Sequence, residues 1–153
     1  MTAIYVSESE PLDTIRDLLD DNWVEFEDIP RPNFVITNES DELAFARVNL
    51  NEGDYIIIRP EGAESIRLRG NISYYDRAYP ISLEILTMES RQRLRDLWRH
   101  IKAICFDNKH SFTGYQLIRI GSYQESVNIE LQIWRGFVRL QVEAAGVSVE
   151  SLI

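Results

Sequence analysis

The sequence predicts an α+β fold, a single bent antiparallel β-sheet with β-hairpins and two α-helices packed on it. Three observations lead there. Apolar residues recur at helical spacing in residues 10–22 and 89–106,. Apolar and polar residues alternate through much of 55–87 and 115–144, the pattern of half-buried strands,. No repeat, low-complexity tract or linker divides the 153 residues, so 1–153 reads as one domain long enough to bury a core,.

The first helix is expected over residues 10–22. Ser9 is placed to cap it, with Glu10 and Pro11 in the first turn, where an acid suits the helix dipole and proline lacks only a donor that would go unused,. Leu12, Ile15, Leu19 and Trp23 form its apolar face, and Asp13, Asp17, Asp20 and Asp21 an acidic one,. Pro30 and Pro32 bracket an extended passage in which PNFVITN reads as a short edge strand, and Gly53-Asp54 marks a turn,. YIIIR and SIRLRGNISYY then flank PEGAES, which predicts a hairpin whose polar tip, with Glu61 and Glu64, projects toward a neighbour,. In its second strand Ile66, Leu68, Ile72 and Tyr74 would point to one side and Arg67, Arg69, Asn71 and Ser73 to the other. Pro80 suggests a kink, or a crossing to another part of the sheet, before ISLEIL,.

Thr87 is expected to cap the second helix, with Glu89 in its first turn,. Leu94, Leu97, Trp98, Ile101, Ile104 and Cys105 fall within about 120° of the helical wheel and form a core-facing stripe,. YQLIRIGSY reads as a strand closed by a turn in residues 122–126. In VNIELQIWRGFVRLQVEA the apolar pattern reflects about Arg135-Gly136. A tight turn there would set Ile133 opposite Val138, Leu131 opposite Leu140 and Ile129 opposite Val142,. One long strand with a bulge at Gly136 is the competing reading. Residues 146–153 look like a flexible tail,.

Composition narrows the function. No apolar run approaches the roughly 20 residues that span a bilayer. The N-terminal MTAIYVSESEP lacks the basic-then-apolar order of a signal peptide, so synthesis and folding in the cytoplasm are expected,. One cysteine, Cys105, excludes an internal disulfide framework,. Acids outnumber bases 25 to 16, which disfavours general binding to nucleic acid,. Lys102 and Lys109 are the only lysines among those 16 bases, and the rest are arginine, the residue suited to interface ion pairs,. Acidity with excess arginine fits a high-salt cytoplasm such as that of halophilic archaea, and equally a GC-rich genome.

No Gly-rich phosphate loop, nucleophile elbow, zinc-protease helix or calcium loop is present, so no catalytic, cofactor-binding or metal-binding residue is assigned and the chain is expected not to be an enzyme,. His100 and His110 read as surface histidines. Cys105 reads as a small buried hydrophobe whose burial would raise its pKa,. The distinctive cluster is Arg91, Arg95, Arg99 and Lys102, spaced by four, four and three residues and confined to about 80° of arc beside the apolar stripe,. Compensation by acids of the same subunit, such as Asp13, Asp17 and Asp20, is the first reading. Acids of a neighbouring subunit come second and a phosphate backbone third.

In the N-terminal helix PLDTIRDLLDDNW, the segment GDYIIIRPEGAESIRLRGNISYY, the strand-to-helix element ISLEILTMESRQRLRDLWRHIKAI and the closing strands, the chain resembles the tail-terminator and tail-to-head-joining (tail completion) proteins of long-tailed viruses. The resemblance rests on element order and texture and covers most of the chain apart from residues 24–51. It implies a homo-oligomeric ring, usually a hexamer, that sits on the last ring of tail tube protein, stops tube polymerisation and provides the joint to the head. The implied partners are further copies of itself, the tail tube protein and a head-tail connector or neck protein. DNA would be passing cargo only, and no membrane is involved. The implied location is the virion tail or neck, with assembly in the host cytoplasm, and the acidity and arginine excess extend this to a virus of a halophilic archaeon. Arg91, Arg95, Arg99, Lys102, Asp13, Asp17, Asp20, Glu61 and Glu64 are then the interface candidates. The alternatives are a neck or head-completion ring protein of the same assembly, or a cellular adaptor that binds a protein partner through the helix at 89–106.

Overall fold

Strand β4 (Tyr74–Thr87) is the spine on which the sheet is built. Within the computed structural model, which describes residues 11–25, 29–37, 48–68, 74–108 and 117–148, β4 lies antiparallel to β6 (Ile133–Ser148) along nearly its whole length. On its other side it pairs first with β3 (Ser65–Leu68) and then with β2 (Tyr55–Pro60), both antiparallel. Strand β1 (Asn33–Ile36) lies parallel to β2 at one edge, and β5 (Leu117–Asn128) lies antiparallel to β6 at the other. The order is β1-β2-β4-β6-β5, with β3 beside β4. The fold class is α+β as predicted, and the edge strand PNFVITN is β1, although its pairing is parallel.

Both helices cover one face. Helix α1 (Pro11–Asn22) buries Ile15, Leu18 and Leu19, and α2 (Arg91–Asp107) buries Leu94, Leu97, Ile101, Ile104 and Cys105. Against them the sheet turns Ile56, Ile58, Tyr75, Ile81, Leu83, Ile85, Ile118, Val138, Leu140 and Val142, forming the main core. A smaller core lies on the opposite face, where Tyr55, Ile57, Leu86 and Ile133 pack with Val35, Val48 and Leu50. Burial on both faces explains why YIII is an unbroken apolar run.

The predicted hairpin between YIIIR and SIRLR is replaced by two strands laid end to end along β4, so β2 and β3 run in the same direction. Residues 61–64 step between them and lie against the sheet. Here Glu61 N–H donates to the Pro80 carbonyl at 3.1 Å. Pro80 therefore neither kinks β4 nor ends it. In a strand, a residue's N–H and C=O point to the same edge, so the donor that proline lacks would have faced this join. Strand β3 is exposed along its whole length, Ile66 and Leu68 included, instead of half-buried. Residues 69–73 of that alternation lie outside the described residues, and Tyr74 begins the next strand, β4.

The turn expected at Arg135-Gly136 is a second correction. Strand β6 runs straight through it, with Arg135 and Gly136 opposite Leu86 and Ile85 of β4 and Ser126 and Glu125 of β5. The apolar pattern changes phase there because β6 stops burying the small-core face, at Ile133, and starts burying the helix face, at Val138. No register shift occurs at Gly136. The β5–β6 pairing has its own bulge, with Gly121 the extra residue between the pairs Ile120–Leu140 and Ser122–Arg139, and the β4–β6 register shifts only between Tyr75 and Arg77,. Strand β5 then continues through the turn expected at 122–126, and the chain reverses at Ile129–Gln132, where Gln132 takes φ 53°. Ile129 and Leu131, predicted to be paired and buried, are exposed at this tip with Val127. Strand β6 extends to Ser148, into the segment read as a tail. Ser9, Glu10, His110 and residues 149–153 lie outside the described residues.

Candidate functional site: the charged flanks

Helix α2 is set by its caps. The capping residue is Ser90 and not Thr87: Ser90 Oγ accepts from the Arg93 N–H at 3.0 Å,. Thr87, fully buried at the end of β4, accepts from the Glu89 N–H at 3.2 Å and shapes the approach to the helix. Arg93 donates to Asp54 Oδ2 at 3.0 Å and ties the first turn of α2 to the loop before β2, where Gly53 takes φ 139°. Midway along the helix His100 stacks on Trp23 (4.8 Å between centroids), and its Nε2 lies 3.0 Å from the Val24 carbonyl. This contact joins α2 to the end of α1.

That placement turns the basic stripe toward β5. Arg91 and Arg95 converge on one carboxylate, Glu125, at 3.1 and 3.4 Å. The Tyr123 hydroxyl donates to the same carboxylate at 3.0 Å. Burial opposes ionisation of Glu125, but Arg91, Tyr123 and Arg95 outweigh it and hold the acid below the usual glutamate range,. Burial, with the adjacent Glu125 charge, pushes the Tyr123 hydroxyl up. Tyr123 also stacks on Trp98 at 4.6 Å, and Lys102 Nζ sits 5.2 Å from the Trp98 ring centre,. Arg99 is 73% exposed and meets only Asp96 of its own helix, at 3.6 Å, among the described residues. Compensation within the subunit therefore operates, but the acid that supplies it is Glu125 and not Asp13, Asp17 or Asp20.

The α1 acids have other partners. Asp13 and Asp17 meet Arg16 at 3.3 and 3.2 Å, and Asp20 pairs with Arg31, which also donates to the Asp20 carbonyl at 2.9 Å. The two remaining candidates, Glu61 and Glu64, do not stand on a projecting tip. Glu61 meets Arg139 at 3.1 Å, and Glu64 holds the buried Arg77. The nine predicted residues thus form three groups: a basic flank at β5, an acidic flank on α1 above β1 and β2, and a link bound down on the sheet.

A cluster not anticipated from sequence lies on the face opposite the two α-helices. Glu84, 1% exposed in the middle of β4, is clasped by Arg59 of β2 and Arg135 of β6, and Arg135 lies over Phe137 at 5.2 Å. Beside it is a polar cleft of about 240 Å³ lined by Arg59, Glu61, Ser82, Ser122, Gln124, Phe137 and Arg139. The one sequence signal was a lone acid inside the alternation ISLEIL. Cys105 is buried, which pushes its thiol pKa up to about 12,. Among the described residues no group of His, Cys, Asp and Glu is placed to hold a metal ion, and no helix is long and apolar enough to cross a membrane. No protein-family model and no curated protein sequence matches this chain.

Proposed function

We propose that this chain is a virion structural protein that closes into a ring, with six copies as in the proteins it resembles. The ring caps the tail tube, ends tube polymerisation and presents the surface to which the head joins. The observation that carries this reading is a sheet whose two lateral edges, β5 on one side and β1 with β3 on the other, have no further strand among the described residues. A subunit of this kind is suited to head-to-tail repetition, and a heterologous contact that repeats with rotation closes a ring. The exposed apolar tip of Val127, Ile129 and Leu131 gives a second contact surface at the end of the sheet, suited to a tube or neck partner,. A net charge of -9 suits a channel through which DNA slides without being held,. In this reading the protein works without catalysis, in the tail or neck of the virion after assembly in the host cytoplasm. Negative-stain electron microscopy of the purified protein tests it: rings with a central channel are expected. Monomers that persist at high protein concentration and low salt would overturn it.

A further inference from the structure

We propose that the subunits join through the two edges of the sheet, with the basic flank of α2 and β5 of one copy against the acidic flank of α1 and β1 of the next. This rests on the ring reading and names the surfaces that build it. Strand direction is the first argument. Relative to β4, β5 runs the same way, whereas β1 and β3 run the opposite way. A copy placed alongside by rotation about an axis parallel to the strands therefore brings β5 against β1 or β3 in antiparallel register.

Among the described residues the β5 edge also lacks the usual protection against pairing. From Ser122 to Asn128 it carries no lysine and no proline, and its one charge, Glu125, is turned to Arg91 and Arg95,. Beyond the bulge at Gly121 it offers an unbroken run of backbone donors and acceptors.

Charge selects the partner. Arg91, Arg95, Arg99 and Lys102 face only two carboxylates among the described residues, Glu125 and Asp96. On α1, Asp13, Asp17, Asp20 and Asp21 face only Arg16 and Arg31 among the described residues. One flank is left two charges positive and the other two charges negative. A two-fold contact of β5 with β5 would also be antiparallel, but it would press the two basic flanks together. The head-to-tail arrangement sets base against acid at every joint.

The test uses the full chain with two double reversals, Arg99→Glu with the half-buried Lys102→Glu, and Asp17→Arg with Asp21→Arg at exposed sites, followed by sedimentation velocity. Each pair alone should weaken assembly about tenfold or more while circular dichroism stays unchanged. An equimolar mixture of the two variants should recover assembly, as should one chain carrying all four substitutions. In the wild type, the alternate β5 amides of residues 122–128 that face away from β6 should gain protection from hydrogen exchange on assembly. Rings that form regardless of the reversals, no recovery on mixing, or unprotected β5 amides in an assembled ring would overturn this interface and leave the ring reading intact. A wild type that stops at a dimer, or stays monomeric, overturns both.

Discussion

Glu84 illustrates at the residue scale what a buried charge requires. Its carboxylate is 1% exposed and is balanced by two guanidinium groups from the strands on either side. Removing one partner of such a set leaves charge without compensation in a low dielectric, so Glu84→Gln should cost about 3–5 kcal/mol in urea unfolding. Replacing Glu84, Arg59 and Arg135 together by leucine or methionine should recover most of that loss, because the desolvation cost leaves with the charges. Glu125 supports a pH prediction. Its folded pKa is held below the ordinary glutamate value of about 4.3, so it binds fewer protons folded than unfolded in the acid range,. Its contribution is complete above that value and is lost as pH falls through the lowered folded pKa. The stability gap between wild type and Glu125→Gln should therefore be constant near neutrality and shrink in the acid range. A gap that widens below pH 4 would contradict the assignment. Neither cluster could be read from sequence, since each joins residues from strands whose pairing the sequence leaves open. Glu125 was further hidden by a turn expected at 122–126.

At the scale of elements, α2 and β6 carry the instructive cases. The apolar stripe of α2 was legible because Leu94, Leu97, Ile101, Ile104 and Cys105 repeat at the helical period, and all are buried,. Its start was misread by three residues, since Thr87 and Ser90 are both competent caps and only the end of β4 decides between them. Ser90→Ala should lower stability by about 1 kcal/mol and Ser90→Asp should be nearly neutral, as read by thermal unfolding. In β6, Gly136 is needed for close approach and not for a turn: a Cβ there would lie 2.9 Å from the Tyr123 ring and 3.0 Å from Leu94. Gly136→Val should therefore destabilise by about 1–3 kcal/mol through overpacking between β6, β5 and α2. If Gly136 lay in an exposed turn, the same change would cost far less.

For the whole molecule, the two α-helices cover one face of the sheet, and among the described residues no further strand pairs with its edges and the hairpin tip is exposed. Val127, Ile129 and Leu131 contribute little to the fold where they stand, so Ile129→Ser with Leu131→Ser should change unfolding free energy by no more than about 0.5 kcal/mol,. The same double variant is expected to leave ring closure intact and to reduce association with a tube or neck partner, measured by co-sedimentation. Loss of the ring itself would place the tip inside the subunit joint. The opposed charge of the two flanks further implies that subunit association weakens as salt rises from 0.05 to about 0.5 M, because exposed pairs are screened over roughly a Debye length.

The sequence by itself determined the α+β class, both helices and the faces they bury, the edge strand at PNFVITN and the burial of Cys105. Each of these follows from a local period or from one residue's own chemistry. Only the tertiary structure decided that β2 and β3 lie end to end on β4, that Arg135-Gly136 is mid-strand, and which acid meets each arginine. The physical reason is that a period-two pattern records which residues are buried but not which face of the sheet buries them. With a core on each face, the phase change at Gly136 imitates a turn. Ion pairs across strands likewise depend on register, and register is fixed by the packing of the whole sheet.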